Sequence, residues 1–214
     1  MFFYLISPPY NTKNFNESVF REIVNIIPIK FFQFRPKHKE LDNRIKFVKK
    51  FHPSFLKICE KKKIKLIIND DFEIAEKFFF HGIHLGQGDE NCMDAKKKFG
   101  KNFIVGVSCS DSIDYYRKAE EDGADYVAFG PMYETMSKLK KVIETKKIET
   151  LQKNVKLPFT LIGGINHKNI NKLKKLKPNY VAIISSLWNF KHGPVKSALK
   201  FRENLEEIKN ENDS

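Results

Sequence analysis

Short apolar runs alternate with amphipathic segments along most of the chain. The runs are rich in Ile, Val, Phe and Tyr, and several are apolar at every position, which is typical of strands buried on both faces. Each run therefore predicts a β-strand. The eight runs cover residues 2–6, 29–34, 65–69, 82–85, 103–108, 125–130, 158–163 and 180–185.

The segments between the runs carry apolar residues at helical spacing. Asn166 is placed to cap one of these helices, Pro194 fits the first turn of another, and Gly123 is placed to end a third. The clearest helical patterns cover residues 16–27, 111–122, 166–176 and 194–209. Strict alternation of strand and helix predicts a parallel sheet.

Eight strand–helix units in 214 residues predict an α/β fold, and their number fits a single (β/α)8 TIM barrel. A doubly wound open sheet is the alternative. No linker divides the chain, so we expect one domain over residues 1–209, followed by a disordered tail over residues 210–214.

Composition narrows the class of protein. No apolar run approaches the length of a membrane span, so we expect a soluble protein with no membrane partner. Cys59, Cys92 and Cys109 have no metal-like spacing, which favours a reducing cytoplasm. The net charge of +13 is spread over predicted helix faces. This spread favours solvated lysines over a nucleic-acid-binding surface, and a basic field attracts phosphorylated substrates.

Polar residues follow the second predicted strand, where a barrel carries its catalytic groups. Gln33, Arg35 and Lys37 alternate there, so their side chains point the same way while the chain stays extended. Two cations and an amide that converge on a barrel mouth suit an anion such as a diphosphate. The alternative is a polar strand end that faces solvent.

Two carboxylates follow the next two strands. Asn69 and Asp70 end the third strand, and Asp89 lies in the loop after the fourth. Either acid alone is explained equally well as a helix cap. Together, in adjacent loops beside cations, they predict a Mg²⁺ site, because Mg²⁺ prefers one or two carboxylates with phosphate oxygens and water. His84 alternates with Ile83 and Leu85, so we expect it to face the lumen.

The remaining strand ends carry hydroxyls, glycines and one ammonium group. Ser108 is placed to donate to a phosphate, whereas Ser110 is explained as well by helix capping. Residues 130–138 include Thr135, Ser137 and Lys138, which suit a phosphate clamp. The glycine pair 163–164 and the backbone amides after the eighth strand match the recurrent phosphate site of these barrels, although a tight turn also needs glycine.

In this order the motifs resemble those of the thiamine-phosphate synthase family. The segments that carry the resemblance are FYLIS, QFRPK, LIINDD, GIHLGQGD, VGVS, GADYVAFGPMYETMSK, LIGGI and AIISS, between about residues 3 and 187. The related thiazole tautomerases share the fold and several motifs. The resemblance implies a transferase of thiamine biosynthesis. It would join 4-amino-2-methyl-5-(diphosphooxymethyl)pyrimidine to 4-methyl-5-(2-phosphooxyethyl)thiazole and release diphosphate from a pyrimidine-methyl cation.

The resemblance also implies a role for each matching residue. Gln33 would contact the pyrimidine, and Asp70 and Asp89 would hold Mg²⁺. The diphosphate would be held by Arg35, Lys37, Asn69, Ser108 and Lys138, of which Arg35, Lys37, Ser108 and Lys138 act in catalysis. The thiazole phosphate would be bound by Thr135, Ser137, Gly164, Ile184 and Ser185. His84 would lie against substrate, or serve as the acid–base group of a tautomerase.

The two retained carboxylates favour the synthase, since a tautomerase moves a proton and handles no diphosphate. Three features depart from the synthase pattern, namely Glu134, residues 8–12 and the loop after Lys138. They concern recognition of the thiazole more than of the diphosphate. The sequence leaves open whether the chain forms a homo-oligomer.

Overall fold

Eight parallel strands pair in sequence order and close into a barrel, because the first strand pairs with both the second and the eighth. The structure is a computed structural model that describes residues 1–135 and 142–212, with side chains up to residue 205. The strands are β1 (Phe2–Ile6), β2 (Ile29–Phe34), β3 (Lys65–Asn69), β4 (Gly82–Leu85), β5 (Ile104–Ser110), β6 (Tyr126–Phe129), β7 (Phe159–Ile162) and β8 (Tyr180–Ile183). The predicted (β/α)8 barrel is confirmed, and the open sheet is excluded.

Helices follow the strands and form the outer layer. They are α1 (Glu17–Ile26), α2 (Leu41–Lys61), α3 (Phe72–Lys77), α4 (Cys92–Phe99), α5 (Ile113–Glu121), α6 (Thr145–Gln152), α7 (Ser185–Trp188) and α8 (Pro194–Asn212). As predicted, α8 begins at Pro194. It continues to Asn212, which includes three residues of the segment that we assigned to the tail.

The helix predicted over residues 166–176 is wrong in type and in starting point. A 3-10 helix covers Ile170–Leu176, and Asn166 lies in the turn before it, where its Oδ1 accepts a hydrogen bond from Lys168 N (2.9 Å). Asn169 occupies the N-cap position instead. Its side-chain amide donates to Gly164 O (2.9 Å), so the turn after β7 uses both asparagines to satisfy its backbone.

An aromatic layer fills the space between the barrel and helices α1 and α2. At its centre Phe15 is buried and its ring contacts six others, those of Phe32, Phe34, Phe47, Phe51, Phe55 and Trp188. Burial of so much aromatic surface is a large stabilising term, and it fixes the strand ends that this layer supports.

A second, smaller core lies inside the barrel. Alternate residues of the strands point into it, including Tyr4, Phe31 and Tyr126. These side chains form a floor beneath the carboxyl-end rim, so any polar group on the inner face near the rim lies between buried aromatics and the open mouth.

The described part of the chain contains no helix that is long and apolar enough to cross a membrane. Cys59, Cys92 and Cys109 are buried free thiols.

Candidate active site

Asp70 directly follows β3 and so lies at the rim, and its neighbour Asp71 caps α3. Asp71 Oδ1 accepts the hydrogen bond from Ile74 N (3.0 Å). Asp70 itself adopts a left-handed backbone conformation (φ 59°), and its backbone N donates to His84 O (2.9 Å). This bond ties the end of β3 to β4. The alternative reading of Asp70 as a helix cap is therefore wrong.

Asp89 is likewise not a helix cap, since Asn91 caps α4. Asp89 Oδ2 accepts a hydrogen bond from Gly86 N (2.7 Å), which turns the carboxylate back toward the barrel. There it lies close enough to Asp70 for the two side chains to share a hydrogen bond when Asp70 is protonated. The structure thus brings the two predicted acids together at one rim.

The contact between the acids changes the protonation of Asp70. The pKa of Asp70 is raised to about 6, mainly by burial and to a smaller extent by the hydrogen bond and charge of Asp89. Lys37 and Arg35 oppose the shift. Asp70 is therefore protonated in mildly acidic solution, at a position that a cation can take over once the proton is lost.

The predicted cations lie beside this pair. Lys37 Nζ is 3.6 Å from Asp70 Oδ2. Arg35 is half-buried, and its burial lowers the pKa of the guanidinium while the charge of Asp70 raises it. Its backbone N donates to Ser7 Oγ (2.9 Å), which holds the end of β2 against β1. The side-chain amide of Asn69 donates to Asp70 Oδ2.

A cleft of about 510 Å³ opens in front of the two acids. It is lined by Pro36, Lys37, His38, Arg44, Asn69, Asp70, Asp71, Phe72, Glu73, Gly88, Asp89 and Glu90. Within the described ranges no three His, Cys, Asp or Glu side chains gather closely enough to hold a metal ion alone. The paired carboxylates nevertheless fit Mg²⁺, which takes one or two carboxylates and completes its shell with phosphate oxygens and water.

A row of hydrogen bonds runs from this rim to the barrel floor. His84 faces the interior, as its alternation predicts. Its Nε2 lies 2.9 Å from Ser108 Oγ and its Nδ1 lies 3.1 Å from Tyr126 Oη, which in turn lies 2.7 Å from Tyr4 Oη. Burial, aided by the charge of Arg35, lowers the pKa of His84 to about 4, so the imidazole is neutral at pH 7.

Gln33 contributes a buried hydrogen-bond donor to the site. Its side chain is buried, and among the described residues its Nε2 has no hydrogen-bond partner. A buried amide donor without an acceptor costs free energy, and a ligand that supplies an acceptor removes this cost.

The glycine pair after β7 lies against the loop after β6. Gly164 has a positive φ of 63°, and a Cβ at this position would lie 2.5 Å from Glu134 O. Tyr133 N donates to Gly163 O (3.0 Å), which fastens the start of the loop to the turn. Only glycine allows this close approach.

The structure describes only some of the other residues that were predicted to bind phosphate. Ile184 precedes α7 and Ser185 is its first residue. Thr135 is half-buried at the last described position before residue 142. Ser137 and Lys138 lie outside the described residues, so their predicted roles stay predictions.

The family model for thiamine monophosphate synthase matches residues 3–187. The chain belongs to the thiamine monophosphate synthase family. The thiamine-phosphate synthase of Pelagibacter ubique (strain HTCC1062) is 38% identical over 204 residues, which cover 94% of this chain and 96% of that protein. The enzyme of the same name from Nitrosococcus oceani is 34% identical, over 78% of this chain and 74% of that protein.

Solved structures support the fold of this thiamine monophosphate synthase family member. Thiamine phosphate pyrophosphorylase from Pyrococcus furiosus superimposes with a TM-score of 0.79 at 23% identity, over 97% of this chain and 96% of that one. The family resemblance that the motifs indicated is confirmed by the matches to the family model and to the curated relatives.

Sequence reasoning missed several residues of this family member's site. Tyr126 was not singled out, although it lies on the inner face of β6 and alternation along the strand places it there. Gln87 Nε2 donates to Ser108 O (2.6 Å) and so joins the loop after β4 to β5. Arg44 pairs with Asp71 inside the cleft. Neither contact has a signal in the sequence, because the partners lie far apart along the chain.

Proposed function

We propose that the chain forms thiamine phosphate by joining a pyrimidine-methyl diphosphate to a thiazole phosphate, with release of diphosphate. The observation that carries the proposal is the Asp70–Asp89 pair, which lines an open cleft together with Lys37 and has Arg35 near Asp70. Paired acids next to cations suit a Mg²⁺–diphosphate group, because Asp70 and Asp89 would hold the metal and the cations would bind oxygens of the anion.

The bond changes follow from the substrates. The C–O bond between the pyrimidine methylene and the diphosphate breaks, and its electron pair leaves with the diphosphate. The lone pair of the thiazole nitrogen then forms the C–N bond to the methylene carbon. Bound Mg²⁺ supplies positive charge where the leaving diphosphate gains negative charge. No protein nucleophile is needed.

The cationic side chains act on the same charge. Lys37 Nζ now pairs with Asp70, and it is free to turn to a diphosphate oxygen once that carboxylate has another partner. Arg35 is held in position by the hydrogen bond from its backbone to Ser7. Positive groups already aimed at the leaving oxygens stabilise the transition state without reorganising.

The barrel interior suits the pyrimidine ring. Gln33 Nε2 offers a hydrogen bond to a ring nitrogen, and Ser108 Oγ, held by His84, offers a second polar contact. The aromatic floor below them excludes water from the methylene carbon. A ring fixed at this depth presents its methylene group toward the rim, where the thiazole nitrogen attacks.

The test is product formation from the two phosphorylated halves. Purified protein with both substrates and Mg²⁺ should form thiamine phosphate and diphosphate in equal amounts, measured by chromatography. EDTA should abolish formation, and Asp89→Ala should lower kcat/KM at least about 100-fold. Glu90→Gln, in the same cleft but outside the acid pair, is the matched control and should retain activity.

Product formation that persists in EDTA and in Asp89→Ala refutes the metal-assisted route. A protein that forms no thiamine phosphate but isomerises the thiazole substrate in EDTA, and loses this activity in His84→Gln, is a thiazole tautomerase instead.

A further inference from the structure

Arg44 forms a bridge between two loops of the rim. Its Nε donates to Asp71 Oδ2 (2.7 Å), and its Nη1 donates to Lys39 O (2.8 Å) and to His38 O (3.3 Å). The pair is largely buried, since the side chains of Arg44 and Asp71 are 26% and 10% exposed. Such a pair is less screened by water than a surface ion pair, so it holds its geometry more firmly.

The two loops that Arg44 joins carry opposite halves of the site. The loop between β2 and α2 carries Lys37, directly before His38, whose carbonyl group is the first of the two that Arg44 bridges. On the other side Asp71 directly follows Asp70, and its second oxygen caps α3. Arg44 therefore fixes how far the cation of one loop lies from the acid of the other.

The loop between β2 and α2 has only weak support of other kinds. Lys37 N donates to Pro9 O (3.0 Å), and the ring of His38 lies against those of Tyr10 and Phe47. Lys37 and Tyr10 are themselves exposed. Pro9 and Tyr10 belong to the loop after β1 and Phe47 belongs to α2, so none of these contacts reaches the acidic side of the cleft. Among the described contacts, the largely buried Arg44 bridge is the firmest attachment between this loop and that side.

From these contacts we infer that Arg44 is a positioning residue, which sets the spacing between Lys37 and Asp70 and so prepares the cleft for the Mg²⁺–diphosphate group. The inference rests on the proposed function only in its choice of ligand. Arg44 acts through its three directed hydrogen bonds, and not through its charge alone. Lys at this position keeps the charge, but a single ammonium group cannot match the planar fork that serves a carboxylate and two carbonyl groups.

Binding of inorganic diphosphate in the presence of Mg²⁺, measured by titration calorimetry, tests the inference without any product formation. Arg44→Met should weaken binding about tenfold, the low end of the loss seen when a residue that positions a metal site without touching the metal is removed. Arg44→Lys should weaken it by a similar factor. Arg21→Met is the matched control, because Arg21 forms an exposed pair with Glu17 on α1 and should leave binding unchanged.

A double-mutant cycle separates the bridge from general loosening of the protein. Asp71→Asn keeps the oxygen that accepts from Ile74 N, so the helix cap survives while the bridge to Arg44 is lost. If both residues act through one bridge, Arg44→Met combined with Asp71→Asn should bind diphosphate within about twofold of either single variant. Thermal unfolding identifies any variant that fails to fold, and Arg44→Lys and Asp71→Asn then carry the test.

Wild-type affinity in Arg44→Lys overturns the inference, because charge alone would then suffice. Single effects that multiply in the double variant overturn it as well. A wild-type protein that binds Mg²⁺–diphosphate but forms no thiamine phosphate refutes the proposed function, whereas the binding constants still decide the role of Arg44. A wild-type protein that binds no diphosphate overturns both.

Discussion

Replacing Asp89 with Asn should make the metal-free protein more stable and the enzyme inactive. The pKa of Asp70 is raised from its ordinary value of 3.8 to about 6. The folded protein thus binds this proton more tightly than the unfolded chain, and the free energy of unfolding falls as pH rises from about 4 to 6 and stays low above that range. A pKa difference of this size corresponds to at most about 3 kcal/mol.

Only part of that cost is relieved by the substitution. Burial is the largest cause of the shift and remains in Asp89→Asn, whereas the hydrogen bond and charge of Asp89 are smaller causes. Asp89 is also exposed, so water screens its charge. We therefore expect the variant to gain about 1 kcal/mol at pH 8, or about 2–4 °C in Tm for a chain of this length. The asparagine Oδ1 can still accept from Gly86 N, so the loop keeps its shape.

Thermal unfolding at two pH values is the assay. Without metal, Asp89→Asn should unfold at a higher temperature than wild type at pH 8 and at the same temperature at pH 5, where Asp70 is protonated in both. With Mg²⁺ and diphosphate the order at pH 8 should reverse, because under the proposed function only wild type should bind them tightly. Glu90→Gln should behave as wild type throughout. An equal change at both pH values, or a loss of stability at pH 8, would refute the reasoning.

Three further predictions concern the rest of the barrel. The pH profile of kcat/KM should show an inflection near 6 from Asp70 and none from His84, because the pKa of His84 is about 4; an inflection near 6 that moves in His84→Gln contradicts this. Gly164→Ala should lose about 1–3 kcal/mol in urea unfolding and raise KM for the thiazole phosphate, since its φ is 63° and its Cβ would meet Glu134 O; an unchanged KM argues against a phosphate site there. Phe15→Ala should lose about 3–5 kcal/mol, measured the same way, and a loss below 1 kcal/mol would show that the aromatic layer repacks.

The strands were predictable because their apolar runs are short, buried and separated by polar segments. The same alternation placed His84 inside the barrel and brought the acids after β3 and β4 to one rim. Parallel strands place their carboxyl ends together, so a list of strand ends is already a list of neighbours.

Local capping was harder to predict, because several residues near each helix start were equally able to cap. In Asn69–Asp70–Asp71 the first acid belongs to the site and the second caps α3, and only the backbone conformation of Asp70 decides between them. The turn before the 3-10 helix posed the same choice, and there Asn169 took the position assigned to Asn166.

Contacts between distant loops could not be predicted. Arg44 lies in the first turns of α2, where an arginine usually faces solvent, and its partner comes 27 residues later. Nothing in the residues around either position indicates the other.

The row from Tyr4 through Tyr126 and His84 to Ser108 has a direction. Neutral imidazole carries one N–H, so it donates at one nitrogen and accepts at the other. If Tyr126 donates to Nδ1, then Nε2 donates to Ser108, and the serine proton points at the ligand. If Nδ1 donates to Tyr126, Ser108 donates to Nε2 and shows the ligand only a lone pair. The hydroxyl groups of Tyr4 and Tyr126, deep in the barrel, therefore help to decide whether Ser108 offers a bound ligand a hydrogen-bond donor or an acceptor.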